Sequence, residues 1–210
     1  PIDSIESIAY RLAQTDFQMN THAIGDASIS KVLNAYKKAL VFKEDPRWRI
    51  EHVQIIDTSD ISLFNKKIIP SVQPTHATSD MYWVKDRIGD SRMAGAYPYK
   101  MLLKEAGSIA LGTDFPVENV NPILTFYAAV TRKDVDGYPE GGFNFENALT
   151  REEALRGMTI WGAEANFEEK EKGSIEVGKS ADFVILDRDI MEESDKRLIS
   201  TKVVATIING

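Results

Sequence analysis

Each of the three histidines in this chain follows a short apolar or alternating run of residues, and a helical pattern comes after each of them. The three are His22, His52 and His76, and a fourth run of the same kind ends in Asp114. Alternating strands and helices are typical of a parallel sheet with right-handed crossovers. The carboxyl ends of parallel strands meet at one edge of the sheet. The pattern therefore predicts a metal site built there from imidazole and carboxylate groups.

The spacing of apolar residues predicts a regular order of elements. Asp26 is expected to cap the helix after the first strand, and Thr150 with Glu153 forms a capping box. Residues 77–95 show no period and are expected to form a long, substrate-facing loop. Residues 173–186 are expected to form two strands about a turn. The predicted helices are 4–15, 27–40, 59–66, 97–106, 122–132 and 150–165, and the predicted strands before the tail are 17–22, 48–54, 68–73 and 108–113, with a last strand at 203–208.

Composition narrows the choice of metal and of partner. The chain has 210 residues, a net charge of -7 and no cysteine. Thiolate ligands are thereby excluded, so a metal must be held by histidine and carboxylate, which suits zinc, iron, manganese or nickel. No basic patch stands out, which argues against nucleic acid or an anionic membrane as partner. No apolar run approaches the length of a membrane span.

The first four strand–helix units have the pattern of half of an eight-stranded barrel. Four parallel strands alone would leave two open edges and an uncovered apolar interior. We therefore expect the chain to be a fragment of a longer protein or to complete itself by pairing with another chain, so a homo-oligomer is one possible state.

Five segments, in this order, resemble the C-terminal part of the amidohydrolase superfamily. The resemblance is strongest to the family-3 group, which includes N-acyl-amino-acid deacylases and formamide- or lactam-hydrolysing proteins. It covers nearly the whole chain, and no single segment is decisive. The segments are His22-Ala23-Ile24-Gly25-Asp26, Ile50-Glu51-His52, Gln73-Pro74-Thr75-His76, Gly112-Thr113-Asp114-Phe115-Pro116-Val117 and the tail 172–184.

The resemblance implies an α/β fold. Residues 1–165 would form strands five to eight of a TIM-like (β/α) metal-dependent hydrolase barrel with a helical extension. Residues 166–210 would supply strands of a small accessory β-sandwich. The family also uses a His-x-His pair and a bridging residue from its first half. This sequence contains no His-x-His, so the isolated chain is expected to be inactive.

The resemblance also implies a chemistry. His22, His52 and Asp114 would bind a divalent metal, with zinc expected, and Asp114 would also move the proton. Hydroxide generated at the metal would attack the carbonyl carbon of a small amide, lactam or formamide, and the non-peptide carbon–nitrogen bond would then break. His76 and Arg87 are candidates for contacts with the substrate.

Each assignment has a plainer alternative. His22 and His52 could be core histidines bonded to the backbone, and Asp114 could be a helix cap or a loop carboxylate. His76 could be a loop histidine bonded to solvent, and Arg87 a surface residue. For the whole chain, the alternatives are a non-catalytic binding or regulatory module, a hydrolase of a cyclic amidine or an ester, and a structural half-barrel that dimerises.

Overall fold

The computed structural model describes residues 2–210, so Pro1 lies outside the described residues. Contacts divide the chain into two compact units. The first unit runs to Val72 and resumes over Asp80–Ala110, and the second takes Gln73–Ser79 and Leu111–Gly210. Within residues 2–210, no helix combines the length and the apolar character that crossing a membrane requires.

The first unit contains a parallel sheet whose strands alternate with helices. In chain order its elements are α1 (Ile2–Ala13), β1 (Asn20–Ala23), α2 (Asp26–Ala39), β2 (Trp48–His52), β3 (Ile68–Val72), α4 (Val84–Ile88), α5 (Tyr99–Ala106) and the start of β4 (Ala110–Leu111). The strands β1 and β2 pair in parallel, as do β2 and β3, and the sheet order is β1-β2-β3-β4. The predicted α/β class with a parallel sheet is thereby confirmed.

One face of this sheet packs against α2 and forms a buried core. The Tyr36 ring meets the Trp48 ring edge-on at 4.8 Å, and its hydroxyl lies 2.7 Å from Thr21 Oγ1. Tyr36, Trp48 and Ile50 are fully buried. Burial raises the pKa of Tyr36, an effect that its hydrogen bond with Thr21 partly opposes, so the phenol stays protonated. Residues of β1 and β2 whose side chains alternate with Thr21, Trp48 and Ile50 therefore point away from α2.

The second unit is mainly helical and ends in a two-stranded sheet. Its elements are α3 (Pro74–Asp80, of which Asp80 counts with the first unit), α6 (Pro122–Thr131), α7 (Arg151–Met158), α8 (Ile160–Ala165), β5 (Phe183–Leu186), α9 (Asp195–Leu198) and β6 (Val203–Ile207). Arg151 at the start of α7 donates to the backbone oxygens of Ile190 at 2.5 Å and Glu193 at 2.6 Å. The strands β5 and β6 pair antiparallel.

Several predicted local features are confirmed. Thr150 and Glu153 form the capping box, and Gly107 ends α5 in the left-handed conformation. The helix expected over 150–165 is divided into α7 and α8 at Thr159.

Other local predictions were wrong. The N-cap of α2 is Gly25, and Asp26 is the first helical residue. Residues 77–95 are not one long loop, because they hold the end of α3, all of α4 and a 3-10 helix. These pieces are too short for a helical period to show in the sequence. Of the two strands expected over 173–186, only β5 forms.

Candidate metal centre

In the first unit, the rings of His22 and His52 lie side by side. Their centroids are 4.4 Å apart and their planes are inclined at 67°. His22 is the third residue of β1, and His52 is the last residue of β2, the neighbouring strand. The His22 side chain is exposed and that of His52 is half-buried, so the alternative of two buried core histidines is wrong for His22.

Regular alternation along β2 would place the His52 side chain on the face that packs against α2, opposite to His22. His52 has the same parity as Trp48 and Ile50, which face α2, whereas His22 follows Thr21 and so points away from α2. A tight turn corrects the direction. The backbone N–H of Val53 donates to the Glu51 oxygen at 3.2 Å, which closes a three-residue turn centred on His52.

The backbone of this turn is strained. His52 has φ 78° and Val53 has φ 45°, and neither residue is a glycine. Positive φ is a marked outlier for a β-branched residue such as valine. Each such residue costs about 1–3 kcal/mol and persists only where its surroundings hold it, a pattern that clusters at functional sites. Val53 is fully buried and also donates to the Ala23 oxygen at 3.2 Å, which secures the turn against β1.

In the second unit, a histidine meets a carboxylate. His76 Nε2 lies 3.5 Å from Asp114 Oδ2. His76 is the third residue of α3 and not the end of a strand as predicted, because the helix begins at Pro74. Its side chain is 5% exposed, so the alternative of a solvent-bonded loop histidine is also wrong.

Asp114 follows β4 by three residues and is half-buried. It adopts φ 58°, and its backbone oxygen accepts a hydrogen bond of 2.8 Å from Val117 N–H. Asp114 therefore stands at the start of a turn and not at the N-terminus of α6, which Asn121 caps. Like His52 at the end of β2, it is a polar residue with a positive φ.

Three other residues named above belong to neither of these pairs. Arg87 is exposed on α4, which leaves its substrate contact a prediction. Glu51 forms an ion pair of 3.2 Å with Arg49. Asp26 Oδ2 accepts from Arg92 at 3.2 Å.

Sequence reasoning missed two residues next to the second pair. Ser79 Oγ donates to Glu118 Oε1 at 2.6 Å. Ser79 follows His76 by three residues on α3, and Glu118 follows Asp114 by four. Neither lies in a recognisable motif, so nothing in the sequence marks the contact.

The donor atoms of the two pairs suit a divalent metal. Neutral imidazole nitrogen and carboxylate oxygen are ligands that zinc, iron, manganese and nickel accept. The two members of each pair also lie close together, with ring centroids 4.4 Å apart in the first pair and Nε2 to Oδ2 3.5 Å in the second. His22 and His52 belong to the first unit and Asp114 to the second. That the three residues bind one metal stays a prediction.

Comparison with known proteins gives a consistent result. The amidohydrolase family model matches residues 2–210. The YtcJ protein of Bacillus subtilis strain 168 is 31% identical over 209 residues, which cover 99% of this chain and 39% of that protein. The N-substituted formamide deformylase of Arthrobacter pascens is 26% identical over 212 residues, which cover 98% of this chain and 38% of that enzyme.

A crystal structure of an uncharacterized metal-dependent hydrolase from Pyrococcus horikoshii OT3 has a similar fold. It matches with a TM-score of 0.78 and 28% identity, and the match covers 92% of this chain and 38% of that one. The chain thus spans about two fifths of the length of the relatives that it matches.

Proposed function

This chain belongs to the amidohydrolase family, and we propose that it supplies the second half of a metal-dependent hydrolase barrel, strands five to eight, within a longer protein. The observation that carries the proposal is the His22–His52 pair, in which a strained turn brings two imidazoles on adjacent strands to 4.4 Å. A histidine pair built at such a cost is more readily explained by ligation than by packing.

We assign the metal to His22, His52 and Asp114, with zinc the expected ion. A metal held there would act as a Lewis acid and lower the pKa of water to near neutrality. Further ligands would come from chain beyond these 210 residues.

Asp114 has a second role in this proposal. Its carboxylate takes the proton of the attacking water and gives it to the leaving nitrogen as the carbon–nitrogen bond breaks. His76, 3.5 Å from that carboxylate, is placed to hold it or to contact the substrate carbonyl. Arg87 remains a candidate for a negatively charged group of the substrate.

The substrate class that we propose is a small amide, lactam or formamide. For a formamide, water and the substrate give formate and a free amine. The similarity to an N-substituted formamide deformylase supports this choice. The same machinery could cleave a cyclic amidine or an ester, and a substrate screen separates these reactions.

Residues 166–210 are proposed to contribute strands to an accessory β-sandwich. The strands β5 and β6 form a two-stranded sheet whose apolar side chains stay exposed, including Val184 at 50% and Val204 at 65%. Two strands alone are marginally stable, so further strands are needed to cover them.

The test uses the full-length gene product that contains this sequence, loaded with Zn²⁺ and offered an N-alkylformamide. Formate release that disappears in His52→Ala supports the proposal. The isolated chain of 210 residues serves as a control that should release none. A full-length product that binds zinc but leaves formamides, amides, lactams, cyclic amidines and esters intact would favour the binding or regulatory module instead.

A further inference from the structure

The contact between Ser79 and Glu118 lies beside the candidate site. Ser79 Oγ donates to Glu118 Oε1 at 2.6 Å, a short hydrogen bond to a charged acceptor. Both residues belong to the second unit, as do His76 and Asp114. This bond has no part in the function proposed above.

The arrangement ties a helix to a loop at two points. His76 and Ser79 are three residues apart on α3 and so lie on one face of the helix. Asp114 and Glu118 lie in the loop between β4 and α6, where they meet His76 and Ser79 respectively. The loop also contains local hydrogen bonds, such as Val117 N–H to the Asp114 oxygen at 2.8 Å.

Asp114 benefits from such support, because its φ of 58° is uncommon for a residue other than glycine. The contact from His76 Nε2 at 3.5 Å is one of the interactions that hold its carboxylate. The shorter bond from Ser79 holds the same loop four residues farther on.

We propose that Ser79 and Glu118 form a clasp that positions Asp114 against His76. The two are positioning residues that act through Asp114. The inference rests on the proposed function, because Asp114 is itself a proposed ligand and proton carrier. Its chemical consequence is that the clasp sets the direction from which the carboxylate meets the metal.

The clasp is tested first by NMR on the metal-free protein. The ¹⁵N resonance of His76 Nε2 reports on the neighbouring Asp114 carboxylate, so Ser79→Ala should shift and broaden it at constant pH. Ser79→Thr keeps the hydroxyl and should restore the resonance. Ser180→Ala removes an exposed serine of the same unit and is the matched control. Ser79 Oγ also donates to the backbone oxygen of His76 at 3.3 Å. Glu118→Ala leaves that contact in place, so it is the deciding variant and should shift the resonance as Ser79→Ala does.

A second readout is Co²⁺ affinity in the full-length gene product, followed by the visible spectrum of the bound ion. Removing a residue that orients a ligand typically weakens binding by about 10-fold to 100-fold, and we expect Ser79→Ala to fall at the lower end. The cobalt spectrum should change with it and recover in Ser79→Thr.

The two proposals fail in different ways. A His76 resonance that is the same in Glu118→Ala as in Ser180→Ala would overturn the clasp, whatever the protein binds. If wild type binds no Co²⁺ while the resonance still responds to Glu118→Ala, the clasp stands as a positioning device and the metal proposal fails.

Discussion

The two residue pairs of the candidate site are held by different means. In the first unit, His22 and His52 meet because the backbone of β2 ends in a strained turn, with φ 78° at His52 and 45° at Val53. In the second unit, His76 and Asp114 meet through side chains, 3.5 Å apart, on a helix and a loop. The first pair stands on adjacent strands of one sheet, and the second has no strand under either residue.

This difference indicates that the two pairs have different roles. Ligands set on paired strands can keep a fixed geometry, because backbone hydrogen bonds hold both ends. Asp114 lies on a loop and is held through side chains, which places its carboxylate where it can accept a proton and then release it. The account therefore assigns metal binding chiefly to the first pair and proton movement to Asp114.

The largest expected effect is on the rate of hydrolysis, which should depend on Asp114 of the second pair. In the full-length gene product, Asp114→Asn should slow formamide hydrolysis by about 100-fold to 10,000-fold, the usual contribution of a general base. Asparagine tolerates the left-handed backbone, so the fold should be kept. Formate release measures the rate, and Asp16→Asn, at an exposed position of the first unit, is the control. Rates within a few-fold of each other in the two variants would remove Asp114 from the chemistry.

The next effect is on Co²⁺ affinity, which should depend more on the histidine of the first pair than on that of the second. His52→Ala should weaken Co²⁺ binding by more than about 100-fold, because it removes a ligand, whereas His76→Ala should cost only about 10-fold, as a supporting residue does. Titration followed by the cobalt spectrum measures both. Equal losses would mean that His76 is also a ligand, and the division between the pairs would have to be given up.

A third prediction concerns the support of the strained turn. A Cβ added to Gly95 would lie 1.8 Å from the backbone oxygen of Ile56, which follows the turn by three residues. Gly95→Ala should therefore lower the free energy of unfolding by about 3 kcal/mol. Gly141→Ala, where nothing lies within 4 Å, should stay within about 1 kcal/mol of wild type.

Urea denaturation measures these stabilities, and NMR shows where the damage lies. The ring resonances of His22 and His52 should move in Gly95→Ala while that of His76 stays in place. A shift of His76 as large as that of His52 would show that the two pairs do not respond independently.

The smallest effect lies far from both pairs, at the end of β5. The hydrogen bond from Arg188, aided by the backbone N–H of Lys202, lowers the pKa of Asp187 from 3.8 to about 2. A lowered pKa means that the ionised carboxylate stabilises the fold above about pH 3.8, and that this contribution is lost as the pH falls through about 2.

The protection factors of amides in β5 and β6, which are corrected for the intrinsic pH dependence of exchange, should therefore fall over this range in wild type. In Asp187→Asn they should be lower already at higher pH and flat over the range. Asp136→Asn, at an exposed position of the same unit, should behave as wild type. A wild-type profile that is itself flat would contradict the role given to Asp187.

The parallel sheet and its helices could be predicted from the sequence because their signals are local and periodic. The face of α2 that carries Leu33 and Tyr36 is apolar at helical spacing, and both residues are fully buried. The capping box at Thr150 needs only residues within one turn, which is why it was also predicted correctly.

The geometry of the site could be predicted only in part. The histidine at the end of β2 was recognised, but its direction was not, because alternation pairs His52 with Trp48 and no glycine marks the turn. His76 was predicted to be delivered by the end of the third strand, whereas Pro74 starts a helix that carries it. The Ser79–Glu118 contact joins residues 39 positions apart, and a single sequence carries no sign of it.

The central claim is that His22 and His52 bind a metal, and the most direct test is elemental analysis of the full-length gene product, purified without chelator or affinity tag, beside its His22→Ala variant. The account predicts zinc, iron, manganese or nickel at about one equivalent or more in the wild type and its loss in the variant. Equal metal in both proteins, or none in either, would contradict it.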